Sequence, residues 1–142
     1  MDEPFLVRLP TRDDLLEAIT RVFRERSVRK ATFTVIGATS QAVLGYYDQD
    51  VKEYRMKPFD VPQEIVACMG NVSEKDGEVF IHAHIVLAGE DYACVAGHLM
   101  LGTVIFAAEL SATPVPGPVP VRVFDETTRL ALWSQSSQEP GR

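Results

Sequence analysis

The chain has 142 residues, 46% of them hydrophobic and 24% charged, so it is long enough to bury one core without disulfide or metal staples. Its formal net charge is −6, and a negative chain opposes the phosphate backbone that supplies most non-specific affinity for nucleic acid. The two cysteines, Cys68 and Cys94, form no Cys-x-x-Cys spacing, which argues against a thiolate metal knot or a disulfide framework.

Signals for a membrane or for secretion are missing from the sequence. The longest apolar stretches, such as residues 79–88, fall short of the roughly 20 residues that a membrane span needs. The N-terminus begins Met-Asp-Glu-Pro, without the basic region and apolar run of a secretory signal. We therefore expect a cytoplasmic protein with reduced cysteines and no membrane partner.

The first predicted elements are a short strand and a helix. Residues 5–9 are apolar apart from Arg8 and end at Pro10, which breaks a strand. Thr11 is a candidate N-cap for the helix that follows. Apolar residues then recur at helical spacing and form one stripe, which predicts a helix that covers a sheet: Leu15, Leu16, Ile19, Val22 and Phe23.

From Ala31 onward the pattern becomes one of strands. Short apolar or period-two runs follow each other without a second helical pattern, which predicts a mainly antiparallel sheet. Residues 47–50 and 75–77 contain the Asp and Gly that favour hairpin turns. The predicted strands lie at residues 31–37, 42–47, 51–57, 64–70, 79–88 and 99–112.

The C-terminal part begins with a proline-rich segment. Four prolines between residues 114 and 120 predict an extended path along a sheet edge, because proline cannot donate a ladder hydrogen bond. Residues 121–124 and 129–133 predict a further strand and a closing turn, and the polar residues 134–142 a disordered tail. The fold class is therefore α/β (α+β), a mainly antiparallel sheet with a covering N-terminal helix, in a single domain over residues 1–133.

The three histidines of the chain are the strongest functional signal. His82 and His84 are two residues apart in a predicted strand, so both rings project from one face. The turn before His98 can bring this third ring beside them. Three imidazoles suit Zn, Ni, Fe or Cu, and they leave one position for water or substrate, as in catalytic zinc sites. The sequence thus predicts a divalent metal, zinc before the others, although three ordinary strand and loop histidines would also fit the pattern.

A cupin site is an alternative for the same histidines. Gly77, His82, His84, Glu90 and Gly97 approach the first cupin motif, but two spacings differ by one residue and the second motif is absent. The early amphipathic helix also does not belong to a jelly roll.

A series of short motifs follows in order over residues 5–112: Arg8-Leu9, Leu15-Leu16, Ile36-Gly37, Leu44-Gly45-Tyr46-Tyr47, Glu53-Tyr54, Glu64-Ile65, Gly70-Asn71, His82-x-His84, Gly97-His98-Leu99, Gly102 and Ala108-Glu109-Leu110. Together these motifs resemble the PPC (plant and prokaryote conserved) domain, also known as domain of unknown function 296 or the PD1-like DNA-binding family. Two departures from the family pattern concern the loops around the histidines: Ala96-Gly97 replaces two glycines, and residues 67–70 read Ala-Cys-Met-Gly in place of Ser-Leu-Ser-Gly.

The resemblance implies a homotrimer in which the histidines are metal ligands near the subunit contacts. It implies no known reaction. In plants the family domain is joined to AT-hooks, whose Arg-Gly-Arg-Pro core enters the minor groove, and this core is absent here. The DNA-binding label of the family therefore describes the AT-hooks attached to its plant relatives more than the domain itself.

Several polar residues are candidates for catalysis. Glu109 lies in an apolar strand, where a carboxylate must be paired or functional, and Arg8 is its natural partner. Either a structural Arg8–Glu109 pair or an acid/base role fits this position. Glu64 and Asn71 could line the same cavity as Glu109, whereas Glu90 and Asp91 are expected to be turn residues.

Three functions fit the sequence. The first is a standalone PPC protein that binds a divalent metal and serves as a regulatory or DNA-associated assembly module with protein partners. The second is a metal-dependent enzyme that acts on a small molecule at the open coordination position. A third, direct DNA binding, would use the cations of residues 21–30, which are otherwise a solvated helix end. The net charge predicts weak or absent DNA binding by the domain alone.

Overall fold

The structure is a computed structural model that describes residues 3–134, a mixed fold of mostly strands with one helix in that range. Its elements are β1 (Phe5–Leu9), α1 (Leu15–Glu25), β2 (Ala31–Asp48), β3 (Glu53–Phe59), β4 (Gln63–Lys75), β5 (Glu78–Ala88), β6 (Cys94–Leu99), β7 (Val104–Pro114), β8 (Val121–Phe124) and β9 (Ala131–Trp133). Across these residues no helix is both long and apolar enough to cross a membrane.

The strands form one sheet in the order β1-β7-β2-β6-β5-β4-β8-β9, with β3 paired to β2. Every pairing between described strands is antiparallel except β4 with β8. The expected antiparallel sheet is therefore present. The two predicted hairpin turns are also present, after β2 and between β4 and β5, where Asp76 and Gly77 have φ of 52° and 81°.

The sheet is organised by β2, which the sequence predicted as two separate strands. It is one strand of 18 residues, and bulges near Gly37 and Thr39 bend it where the apolar pattern lapses. Its first half pairs with β4 and β7, and its second half with β3 and β6. Because β4 pairs with β5 and β5 with β6, the pairings β2-β4-β5-β6-β2 form a closed circuit.

The prediction of one strand over residues 99–112 was wrong. Leu99 ends β6, a turn follows at residues 100–103, and β7 begins at Val104. Apolar Met100 and Leu101 hid this turn from the hydropathy pattern, while Gly102 adopts the positive φ of 98° that turns the chain. His98 therefore lies near the end of a strand instead of the start of one.

Helix α1 packs one face against the sheet, where Leu15, Ile19 and Phe23 are fully buried. Its N-cap is Asp14, whose Oδ1 accepts a hydrogen bond from the Glu17 backbone N–H at 3.0 Å. The prediction of Thr11 as the cap was wrong, because the Thr11 hydroxyl donates instead to the Phe106 carbonyl and Arg12 turns the chain with φ of 76°.

After the proline-rich segment, β8 pairs in parallel with the end of β4 and in antiparallel fashion with β9. The backbone enters β8 through Pro120, whose carbonyl accepts from the Glu74 N–H. The predicted strand at residues 121–124 is thus present, and residues 131–133 add a second strand. Of the tail predicted to be disordered, Ser134 bonds to Val121, and residues 135–142 lie outside the described residues.

Candidate metal centre

The outer face of β5 carries two of the three histidines. Ile81, Ala83 and Ile85 are buried on the inner face, so strand alternation directs His82 and His84 outward. On the neighbouring strand β4, Asn71 lies opposite His82 and Met69 lies opposite His84. The apolar residues of β5 therefore fix the direction of both imidazoles.

Strand β6 brings the third histidine to the same place. His98 lies directly opposite His84 in the β5–β6 ladder and opposite Gly45 in the β2–β6 ladder. This close approach requires a residue without a side chain at position 97, because a Cβ on Gly97 would lie 2.9 Å from the Gly45 carbonyl oxygen. Gly97 thus allows β6 to close the strand circuit and to position His98.

The three rings converge as the sequence predicted. Their centroids are 5.0 Å apart for His82 and His84, 5.1 Å for His82 and His98, and 5.6 Å for His84 and His98. One nitrogen of each ring lies within 4.8 Å of the others. His84 is exposed, while the other two rings are partly buried, so the cluster opens to solvent on one side.

Burial and neighbouring charge favour the neutral form of His82 and His98. Burial, with His98, Arg122 and His84 as smaller causes, lowers the pKa of His82 to about 4. Burial also lowers the pKa of His98, with His84 and Arg122 as additional causes. A neutral imidazole keeps a lone pair for a cation at neutral pH. Both rings therefore have the protonation state that a metal ligand needs.

The donor set fits a tetrahedral divalent cation. His82 Nε2 and His84 Nε2 lie 3.3 Å apart. Two ligands at about 2.05 Å from a tetrahedral zinc are separated by about 3.3 Å, so this pair already has the required spacing. A ring nitrogen of His98 lies within 4.8 Å of a nitrogen of each of the other two rings. Three protein ligands would leave one coordination position of such a cation open.

A cavity of about 810 Å³ opens beside the histidines. All three histidines line it together with Tyr54, Phe80, Lys75 and Arg122, among others. Tyr54 contacts His98 with ring centroids 5.1 Å apart and contacts Tyr47 at 5.0 Å. The three histidines therefore line one aromatic and basic cleft.

The sequence reasoning missed Arg122. In β8 the flanking Val121 and Val123 are exposed, while Arg122 is the buried residue, the reverse of an ordinary surface strand. An arginine between two valines in a period-two strand was the available signal. The partners of Arg122 on β4, however, are 49 and 51 residues away, and no local pattern predicts them.

The acidic candidates lie elsewhere. Glu109 is opposite Arg8 in the β1–β7 ladder, as expected, but both side chains are exposed and they form no ion pair among those of the described residues. Glu64 is exposed at the far end of β4 and lines another cavity. Asn71 is the one of these candidates that lies beside a histidine.

The cations of residues 21–30 are largely engaged in local contacts. Arg21 pairs with Asp13 and Arg29 with Glu74, and the Arg26 guanidinium lies 4.4 Å from the centre of the Phe5 ring. Lys30 donates to the Pro116 carbonyl at 3.0 Å. These contacts hold the side chains against different parts of the protein instead of along one groove.

Comparison with known proteins gives one consistent result. The profile of the Plants and Prokaryotes Conserved domain matches residues 1–116. A metal-containing protein from Archaeoglobus fulgidus is 41% identical, with 94% of each chain covered and a TM-score of 0.89. A plant- and prokaryote-conserved protein from Pyrococcus horikoshii is 31% identical, covering 94% of this chain and 92% of that one, also with a TM-score of 0.89. No curated protein matches the chain.

A candidate DNA-binding protein from Bacteroides thetaiotaomicron has the same fold. It is 22% identical, covers 96% of this chain and 94% of its own, and has a TM-score of 0.88.

Proposed function

The chain belongs to the Plants and Prokaryotes Conserved domain family, and from this premise we propose that it binds one divalent cation, zinc, through His82, His84 and His98 in a homotrimeric assembly module. The observation that carries the proposal is the convergence of three ring nitrogens within 4.8 Å. The metal-containing relative from Archaeoglobus fulgidus supports it, because it is 41% identical over nearly the whole chain.

When bound, zinc would supply Lewis acidity and one coordination position for water or a ligand. The protein residues do the rest. The β5–β6 ladder places His84 directly opposite His98, and partial burial favours the neutral form of His82. Tyr54 packs its ring against His98 and limits the rotation of that imidazole.

Metal analysis tests this site. Purified wild-type protein should contain one zinc per chain by plasma mass spectrometry, and the His82→Ala/His84→Ala variant should contain less than a tenth of that. The Glu64→Ala/Glu109→Ala variant is the matched control, since both carboxylates are exposed and neither lines the cavity beside the rings, and it should keep its metal. Equal metal content in the histidine variant would overturn the proposal.

The trimer is supported by the apolar outer face of the sheet. Several large side chains on β1, β2, β4 and β7 are more than half exposed, and contiguous patches of this kind mark interaction surfaces: Leu6 80%, Phe106 64%, Met69 60%, Ile36 58% and Val66 51%. Because Met69 lies opposite His84, burial of this face by a neighbouring subunit would also enclose the histidines.

Light scattering measures the assembly. We expect a mass of three chains at micromolar concentration, and the Leu6→Glu/Ile36→Glu variant should dissociate because it places charges in the buried interface. The Thr32→Glu variant changes an exposed residue of β2 and shows whether any added charge on this face is sufficient to dissociate the trimer. A wild-type mass of one chain would contradict the trimer.

A metal-dependent enzyme is the second candidate function. The 810 Å³ cavity beside the histidines favours it, because a small molecule could reach the open coordination position. Within residues 3–134, no Asp or Glu lines this cavity, so proton transfer would fall to Tyr54 or to bound water. Saturable turnover of a small-molecule library by the zinc-loaded protein, lost in Tyr54→Phe, would favour this function over a purely structural metal.

A further inference from the structure

Arg122 is a buried cation held by neutral groups. It is 9% exposed and donates to Ser73 Oγ at 3.0 Å, to the Ala131 carbonyl at 3.0 Å and to Asn71 Oδ1 at 3.3 Å. A guanidinium has five N–H groups and stays charged in proteins. Three of the five therefore donate to described residues, and two have no acceptor within that part of the chain.

No carboxylate neutralises this charge within residues 3–134. The ion pairs of that range join Arg21 to Asp13, Arg29 to Glu74 and Arg55 to Asp48. Burying a charge is costly unless a counter-charge accompanies it. Arg122 thus has hydrogen-bond partners that fix its orientation but no anionic partner among residues 3–134.

The guanidinium lies on the histidine face of the sheet. Its partner Asn71 is directly opposite His82, and its carbon lies 5.0 Å from the centre of the Phe80 ring, two residues before His82 on β5. On the other side it lies 5.5 Å from the Trp133 ring. Arg122 therefore contacts the residues directly next to the histidine cluster, Asn71 across from His82 and Phe80 on the same face of β5.

The cavity that joins these groups is positive and mostly apolar. Lys75 and Arg122 line it beside the three histidines, and none of the described residues that line it is Asp or Glu. A divalent cation on neutral imidazoles would add further positive charge. The other walls come from rings and aliphatic side chains, including Tyr46, Tyr54, Phe80, Leu130 and Leu132.

We propose that this cavity binds a small organic carboxylate, whose head group lies between Arg122 and the histidine cluster and whose apolar body packs against the Tyr54 and Phe80 side. The planar guanidinium matches a carboxylate, and the aromatic wall favours an apolar body over a bare inorganic anion. The part of this inference that concerns the open coordination position rests on the proposed metal function. Arg122 lies beyond residues 1–116, where the family profile matches.

Fluorescence of Trp133, the only tryptophan in the chain, reports on the cavity because its ring contacts Arg122. Cyclohexanecarboxylate should give a saturable change when titrated into zinc-loaded protein. The neutral cyclohexanecarboxamide should bind at least tenfold more weakly, because the amide cannot neutralise Arg122. Inorganic phosphate distinguishes the source of the anion, and it should also bind at least tenfold more weakly.

Two variants locate the site. Arg122→Gln should weaken cyclohexanecarboxylate binding at least tenfold, since charge-assisted bonds are the strong ones. Lys75→Gln should weaken it about threefold through the loss of one nearby charge, and it removes no hydrogen bond that holds β8. Lys57→Gln is the matched control, because Lys57 also lies over a phenylalanine ring, that of Phe59, but outside the cavity, and it should bind like the wild type.

Metal content measured on the same samples separates the two proposals. Carboxylate binding that needs Arg122 in a protein that retains no zinc after zinc has been added would sustain this inference and overturn the metal site. Zinc binding without saturable carboxylate binding, carboxylate binding unchanged in both Arg122→Gln and Lys75→Gln, or phosphate binding as tight as the carboxylate would each overturn the inference.

Discussion

At the scale of the residue, the two cysteines differ sharply in their surroundings. Cys68 is buried inside the sheet and Cys94 is exposed. Burial raises the pKa of the Cys68 thiol to about 12, and only the thiolate reacts rapidly with disulfide reagents. We expect Ellman's reagent at pH 8 to modify one thiol in the native protein and two in 6 M guanidinium. In Cys94→Ser no thiol should react before unfolding, and rapid reaction there would contradict the burial.

Gly70 is a second residue whose identity is explained by its neighbours, which leave no space for a side chain. A Cβ at this position would lie 2.2 Å from the His82 carbonyl oxygen and 2.7 Å from Phe33 Cζ. Gly70→Ala must therefore push β5 and its histidine away, at a cost of about 1–3 kcal/mol, measurable by urea unfolding. Gly89→Ala is the control, because its Cβ would meet Asp91 Oδ1 at 3.5 Å. Equal stability of the two variants would show that β4 and β5 are not so close.

Single residues also show how much of the candidate site could be predicted from the sequence. The spacing of His82 and His84 predicted a shared face, and His98 was correctly expected beside them, because strand alternation and one short turn are local rules. The buried position of Arg122 depends on Ser73 and Asn71 in a distant strand, so the sequence around residue 122 could not predict it. Glu109 was expected to need a partner, but it lies on the exposed side of β7.

At the scale of the element, the start of α1 is held by one carboxylate. Asp14 Oδ1 caps the helix and Asp14 Oδ2 accepts from the Gly102 N–H at 2.7 Å, so the residue joins the helix to the turn before β7. We expect Asp14→Ala to lower the free energy of unfolding by about 1–2 kcal/mol. Asp13→Ala, which breaks only the partly exposed Asp13–Arg21 side-chain ion pair, should cost less than about 1 kcal/mol.

Thermal unfolding followed by circular dichroism compares the two aspartate variants. A larger loss of stability in Asp13→Ala than in Asp14→Ala would show that Asp14 is not the helix cap.

The elements show why some boundaries could be predicted and others could not. The apolar stripe of α1 and the Asp-Gly turn before β5 are strong local signals, and both elements lie where the sequence placed them. The break expected within β2 does not exist, because pairing with β4 and β7 holds residues 38–41 in the sheet. The turn at residues 100–103 was missed because its apolar side chains resemble a strand.

At the scale of the whole molecule, charge limits the partners that the protein can bind. The net charge is −6, and four of the cations of residues 21–30 make contacts in separate places. We expect duplex DNA to bind with a dissociation constant of about 10⁻⁴ to 10⁻⁶ M or weaker at physiological salt. Electrophoretic mobility shifts with random and A·T-rich duplexes measure this.

The control for DNA binding is a charge reversal in the basic segment. Arg24→Glu/Arg29→Glu should change a weak, salt-dependent affinity only modestly. Nanomolar and sequence-selective binding that this variant abolished would make DNA a specific partner.

The closed circuit β2-β4-β5-β6-β2 has a consequence for local opening. Strand β6 joins β2 through only two residue pairs, Leu44 with Leu99 and Gly45 with His98, so the circuit has a narrow seam at His98. Amide hydrogen exchange of metal-free protein should be fastest in β6 among the strands of the circuit, because few bonds must break to open it. A cation that joins His98 to His82 and His84 would connect both sides of the seam, and zinc should therefore slow exchange in β6 more than in β4.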